Sequence, residues 1–403
     1  MDTNGAHFMN KSILVKIAIG AVGLYALSTA ISYAAFSFLS PSSAMKRPTN
    51  SGKPVVTVAP SKFAIEEGLP RTEVCPMNGV KYPTKYREIW EKRRPLAVMI
   101  ENSRDARPQS GMSLADIVYE AVAEGGTTRF MGIFYCGATL GNINLSPVRS
   151  ARIYFVNWVP EYDALYNHVG GAGRCEDETV DPRAKALCAI GKYGIKDMDQ
   201  FGISFPDCYR NYDRLDHPVA TEHTMVCKSD NLYKIAIKRE WTNVDENGVP
   251  WDKNYVAWKF KEEAKEADRG SASPIEFIFW EGYKDYAVRF EYDKTNNLYK
   301  RFTAGEAHKD LETGEQLSAK NIVIQFAKET RGLDEHAHLL YDTIGSGKAI
   351  LFQDGNAMNG TWRKDTRTAR TKFYDENSRE VAFNPGQIWI ELVPIGVTIS
   401  YPK

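Results

Sequence analysis

The chain has 403 residues, 43% hydrophobic and 25% charged, an ordinary globular composition on a length that predicts more than one core. Lysine plus arginine and aspartate plus glutamate are balanced at 51 each. No global field therefore favours nucleic acid, and any anion site must be local.

In chain order, Ile17–Leu39 carry no charge over 23 positions, enough to cross a bilayer, and Lys11 and Lys16 precede them. This predicts a single transmembrane helix in an N-terminal anchor, residues 1–40, with a cleaved signal peptide as the alternative. Residues 41–75 begin rich in Ser, Pro, Lys and Thr, lack helical periodicity, and read as a flexible stalk. All six cysteines follow the apolar segment and none forms a CxxC pair, which suits disulfides in an oxidising compartment. Among Cys175, Cys188, Cys208 and Cys227 the pairs nearest in sequence are 175/188 and 208/227, but spacing does not fix connectivity. Cys136 ends an apolar run and reads equally well as a free buried thiol. No closely spaced ligand pairs point to a metal, and no cofactor is expected.

Pro95–Cys136 reads as a βαβ unit. Leu96–Ile100 is an apolar strand followed by a turn-rich loop, Glu101–Gly111. Ser113-Leu-Ala-Asp116 has the form of a capping box, and Ile117, Val118, Ala121 and Val122 recur at helical spacing. Gly125-Gly126 would stop that helix, because glycine enters the left-handed conformation cheaply. Ser146-Pro147 predicts a second helix running to about Val159. Ala164–Val169 reads as a strand and Ser229–Lys238 as a helix. From Glu276 onward, short alternating runs separated by turn residues give all-β patterning: 277–280, 287–292, 299–302, 321–326, 349–353, 360–363 and 387–393. The expected fold is thus an α/β module over residues 76–240, with a βαβ-type sheet and helices, and a β-rich module over 241–403.

The motifs RPLAVMIEN, ARPQSGMSLADIVYEAVAEGGTTRF, PVRSARIYF and HVGG, followed by IGSGKAILFQDG, GTW and NPGQIWIELVP, resemble the YerB-like lipoproteins in both modules. The match runs from about Arg94 to Pro394. It implies an extracytoplasmic, membrane-tethered protein of two modules with no established activity. The chain departs from the family in lacking a lipidation cysteine. It also reads Thr221-Glu222-His223-Thr224 where the family usually has a Pro-His-Asn run.

Arg129, Arg149 and Arg152 are the sharpest ligand-binding candidates, since guanidinium forks grip phosphate or carboxylate and two of them sit at an expected helix N-terminus. Arg107 and Gln109 in the first loop, His168 before Gly170-Gly171, and His223 complete the candidate anion site. The competing reading pairs the arginines with Asp116, Glu120 and Glu124, which would form one acidic stripe at i, i+4, i+8 on the expected helix. Ser110 and Ser150 lack the strand–GxSxG–helix context of a hydrolase nucleophile. The favoured function is binding or scaffolding at the cell envelope, of an anionic cell-wall or lipid-linked glycan or of a protein partner, by a membrane-anchored ectodomain. The alternative is an envelope phosphotransferase or hydrolase acting on a pyrophosphate-linked glycan through the arginines.

Overall fold

The computed structural model describes residues 63–402. The transmembrane helix expected at 17–39 lies outside them, and among the described residues no helix is long and apolar enough to cross a membrane.

Strands dominate, which overturns the α/β reading. Ten of them form the main sheet: β1 (Leu96–Glu101), β2 (Ile117–Val122), β3 (Thr128–Phe134), β4 (Leu165–His168), β5 (Lys196–Asp199), β6 (Asn321–Ala327), β7 (Gly345–Gln353), β8 (Asn356–Lys364), β9 (Lys372–Asp375) and β10 (Ile388–Pro394). Their spatial order is β9-β8-β7-β6-β10-β2-β3-β1-β4-β5. The sheet therefore runs without a break through both expected modules, joined where β10 pairs in parallel with β2. A second sheet of five strands, spanning residues 275–319, packs beside it.

The expected βαβ unit is an antiparallel arrangement, with β3 paired to both β1 and β2. The segment read as a helix is β2, and all six of its residues are buried. A strand covered on both faces has no polar alternation, so its apolar positions match a helical template equally well. The capping box is absent too. Met112–Leu114 form one 3₁₀ turn, and the Asp116 carboxylate accepts backbone N–H groups of Tyr135, Cys136 and Gly137 instead. Gly125 and Gly126 do take positive φ, 66° and 76°, but they turn the chain between β2 and β3. Past Pro147 the backbone stays extended, bridging Ile100 at Val148 and Gly171 at Ala151, and only Ile153–Val156 is helical. The Ser229–Lys238 helix is present, burying Leu232, Tyr233, Ile235 and Ala236.

Three disulfides close the chain: Cys75–Cys136, Cys175–Cys188 and Cys208–Cys227. Cys136 is thus bonded and not a free thiol. Its bond ties residues at the end of the expected stalk to the core, where Phe63 is also buried.

The join between the sheets is polar and buried. Arg301, on the Leu298–Thr303 strand, donates to Glu120 of β2 and Glu391 of β10, each at 2.6 Å, and all three side chains are fully buried. Burial and the neighbouring Glu120 push the Glu391 carboxyl well above its ordinary range, against the pull of Arg301. Removing the guanidinium leaves two carboxyl groups in the interior with no counter-charge, a loss of roughly 3–5 kcal/mol. Urea denaturation of Arg301→Met at pH 7 is expected to show a fall of that size. It should be partly recovered when Glu120 and Glu391 are both changed to Gln.

Candidate functional site

Four parallel strands, β1, β4, β10 and β2, present their C-terminal ends on one edge of the sheet, and β3 starts there. Functional loops of parallel sheets emerge at this edge. At its centre Glu101, the last residue of β1, is in register with Arg129 near the start of β3, so the two side chains leave the same face. The extended segment after Pro147 crosses just beyond. Arg149 N donates to Met99 O at 2.9 Å, and Arg149 O accepts from Val169 N at 3.1 Å. These bonds bring Arg149, Ser150 and Arg152 to the same edge.

Glu101 is 3% exposed and organises one half of the site. Its carboxylate accepts the Ser103 hydroxyl at 2.6 Å and faces His223 Nδ1 at 2.9 Å. Arg149 Nε lies 3.3 Å from it as an ion pair. A carboxylate at Nδ1 fixes the proton on that nitrogen and leaves Nε2 as the basic one in the neutral ring. Nε2 has no hydrogen-bond partner among the described residues, and neither do the two terminal nitrogens of Arg149. Arg214 holds this geometry from below. Its Nε donates to His223 O, and its terminal nitrogens donate to Pro108 O and Ala106 O, which locks the 104–108 loop to the 221–223 turn. Burial lowers the Arg214 guanidinium to about 10, against the attraction of Glu101.

Glu124 organises the other half. Arg152 grips its carboxylate with Nε and Nη2, while Arg129 Nη2 approaches at 3.4 Å and Arg129 Nη1 donates to Ser150 O. Burial and then Arg152 depress Arg129 to about 10. Burial raises the Glu124 carboxyl, but the two arginines outweigh it and hold it down at about 2. His338 Nε2 stands 3.9 Å from Glu124, at a cavity of about 440 Å³ lined also by Arg152, Gly171, Asp177 and His336.

The three arginines named from sequence thus share this edge, but in unequal states. Arg129 and Arg152 share the single Glu124 carboxylate and spend their other terminal nitrogens on Ser150 O and Ala151 O, while Arg149 alone keeps free terminal nitrogens. Arg107 and Gln109 point elsewhere. Arg107 bonds Asn102 and Asp285 O and lies over Tyr286, and Gln109 links Glu101 O to buried His308. His168 has no exposure, and both its nitrogens face acceptors, Gly170 O and Asp197. The acidic stripe does not form: Asp116, Glu120 and Glu124 serve three separate networks. Glu101, Ser103 and Arg214 were not singled out from the sequence. Glu101 carried one usable signal, a carboxylate closing an otherwise apolar strand.

Two family models match the chain, the N-terminal domain of the proteins of unknown function DUF3048 over residues 83–242 and its C-terminal domain over 277–390. The chain belongs to that family. It is 29% identical over 327 residues to YerB of Bacillus subtilis strain 168, assigned by name as a lipoprotein, covering 79% of this chain and 86% of the relative. The crystal structure of Bacillus subtilis YerB superposes with a TM-score of 0.65 at 27% identity, over 82% of this chain and all of that one.

The Glu124 network sets an acid limit on stability. With its carboxyl at about 2 in the fold against an ordinary 4.5, the group stabilises the native state above pH 4.5 and loses that contribution as pH falls toward 2. The loss is about 3 kcal/mol over that window. Denaturant midpoints from pH 6 to pH 2.5 should show it in the wild type. Arg152→Ala should be less stable at neutral pH and flatter across the same range.

Proposed function

We propose that this protein works outside the cytoplasm at the cell envelope, where it binds an anionic, phosphate-bearing glycan at the β1 edge through Arg149. Three disulfides suit an oxidising compartment. The relationship to YerB agrees with an envelope location.

The observation that carries the reading is the state of Arg149. Its Nε is held against buried Glu101, its side chain is 26% exposed, and its terminal nitrogens form a fork with no hydrogen-bond partner among the described residues. A fork fixed at one end binds a phosphate with little further ordering. Exposed Glu222 stands close enough for Arg149 to help its own backbone N–H lower the Glu222 carboxyl. It competes with any incoming anion.

Calorimetric titration of the full chain with inorganic pyrophosphate and with purified wall teichoic acid tests this. Charge-assisted hydrogen bonds of about 1.5–3 kcal/mol imply that Arg149→Ala weakens binding about tenfold to a hundredfold. Glu222→Gln should tighten it, and raised salt should weaken it. Glu222→Gln should keep the wild-type melting temperature, whereas Arg149→Ala, which takes one partner from buried Glu101, should melt somewhat lower and stay folded. Equal binding by Arg149→Ala would refute the assignment.

A further inference from the structure

We propose that the same edge is catalytic, with His223 the general base that activates water against a phosphodiester held by Arg149. This rests on the anion-binding reading above and adds a reaction to it.

The argument starts from one carboxylate shared by two side chains. Glu101 Oε2 faces His223 Nδ1 at 2.9 Å, and its Oε1 lies 3.3 Å from Arg149 Nε. An imidazole and a guanidinium fixed to opposite oxygens of one carboxylate are neighbours, with Nε2 of the ring and the terminal nitrogens of the arginine left over. A general base needs this combination: a basic nitrogen without a partner, a proton on the opposite nitrogen that an acceptor holds, and a charged group beside it to seat the substrate. Glu101 is nearly inaccessible, so it holds the ring by a hydrogen bond that water does not compete for.

Three other histidines are less well placed, and His338, its Nδ1 on Asp334, has Nε2 3.9 Å from the Glu124 carboxylate and no free arginine fork beside it. His168 has both nitrogens committed to acceptors, and His308 is buried between Thr303 and Gln109. Ser103 gives its proton to Glu101, and the His223 nitrogen 3.5 Å from its hydroxyl is the protonated Nδ1, so it is not a nucleophile. Its hydroxyl instead helps fix the carboxylate. Arg214, holding the carbonyl of His223 and the facing loop, is a positioning residue.

The substrate class follows from charge. Glu124 and Glu101 together balance two of the three guanidinium charges, and the one fork left without a hydrogen-bond partner is that of Arg149, which matches the one negative charge of a phosphodiester. In the step itself, the oxygen of water bonds to phosphorus while its proton passes to His223 Nε2. The bond from phosphorus to one ester oxygen breaks, and the imidazolium returns the proton to that departing oxygen. The products are an alcohol and a phosphomonoester, and water is the only co-reactant.

The test is release of p-nitrophenolate from bis(p-nitrophenyl) phosphate by the full chain, with pyrophosphate binding measured in parallel. His223→Asn retains a donor toward Glu101 but has no basic nitrogen. It should lose about a hundredfold or more in kcat while binding pyrophosphate within a few-fold of wild type. Glu101→Gln should lower kcat more than it raises KM. Imidazole added to His223→Ala should restore part of the turnover, which a structural role for the ring would not predict. Absence of turnover in wild type that binds pyrophosphate overturns the catalytic inference and leaves the binding reading standing. Absence of binding as well overturns both. Unchanged turnover in folded His223→Asn also overturns it.

Discussion

A guanidinium with no access to water decides how this chain closes. Glu120 and Glu391 occupy paired register positions on adjacent parallel strands, and Arg301 reaches both from the second sheet. Parallel neighbours lie about 4.8 Å apart, so two carboxyl groups there oppose each other unless a cation or a shared proton intervenes. The rings of Phe130, Phe290 and Trp389 surround the guanidinium at 5.7, 5.1 and 4.7 Å, which gives it favourable faces as well as anionic partners. That one side chain is what allows two carboxyl groups to sit side by side in the otherwise apolar pairing of β2 with β10.

Similar long-range polar links tie the N-terminal half of the chain to the C-terminal half elsewhere. Asp310 accepts from Gly111 N and Ser113 N, almost 200 residues earlier in the chain. Glu161 is buried with Lys364, Arg370 and Thr371. Gln109 spans from Glu101 O to His308. Each of these demands directional partners, so they select one arrangement of the two halves where apolar contact alone would tolerate several. The β1 edge inherits that rigidity: Glu101 sits on a central strand, and the turn carrying His223 is fastened by Arg214 to the loop that also bears Gln109. A site whose side chains are already fixed has little ordering left to do on binding.

Position in the chain decided what could be read in advance. The strands beyond Glu276 alternate and are punctuated by turns, and the Ser229–Lys238 helix has one apolar face, so periodicity exposes both. Ile117–Val122 does not alternate, because β2 is covered on both faces, and six apolar-rich residues fit either period. The β-branched Ile117, Val118 and Val122 and the ring of Tyr119 favoured a strand. The capping-box pattern outweighed them, since nothing local shows that Asp116 is required by backbone N–H groups twenty residues on. Arg149 and Arg152 were found for their chemistry but assigned to a helix that the bridge at Val148 forbids. Glu101 and His223 are 122 residues apart, and only tertiary structure makes them a pair.

The place of β10 has a consequence for how the chain is made. Every other strand of the main sheet precedes it, yet it belongs in the middle, between β6 and β2. Until residues 388–394 leave the ribosome, the outer side of β2 is a bare row of amide and carbonyl groups on an apolar strand, a template for pairing with another chain. Glu120 lies in the middle of that row. An unpaired charge there makes docking of a foreign strand costly until Arg301, made before β10, folds across to meet it. The residue that holds the finished sheet together is thus, for most of synthesis, what keeps the unfinished one from aggregating.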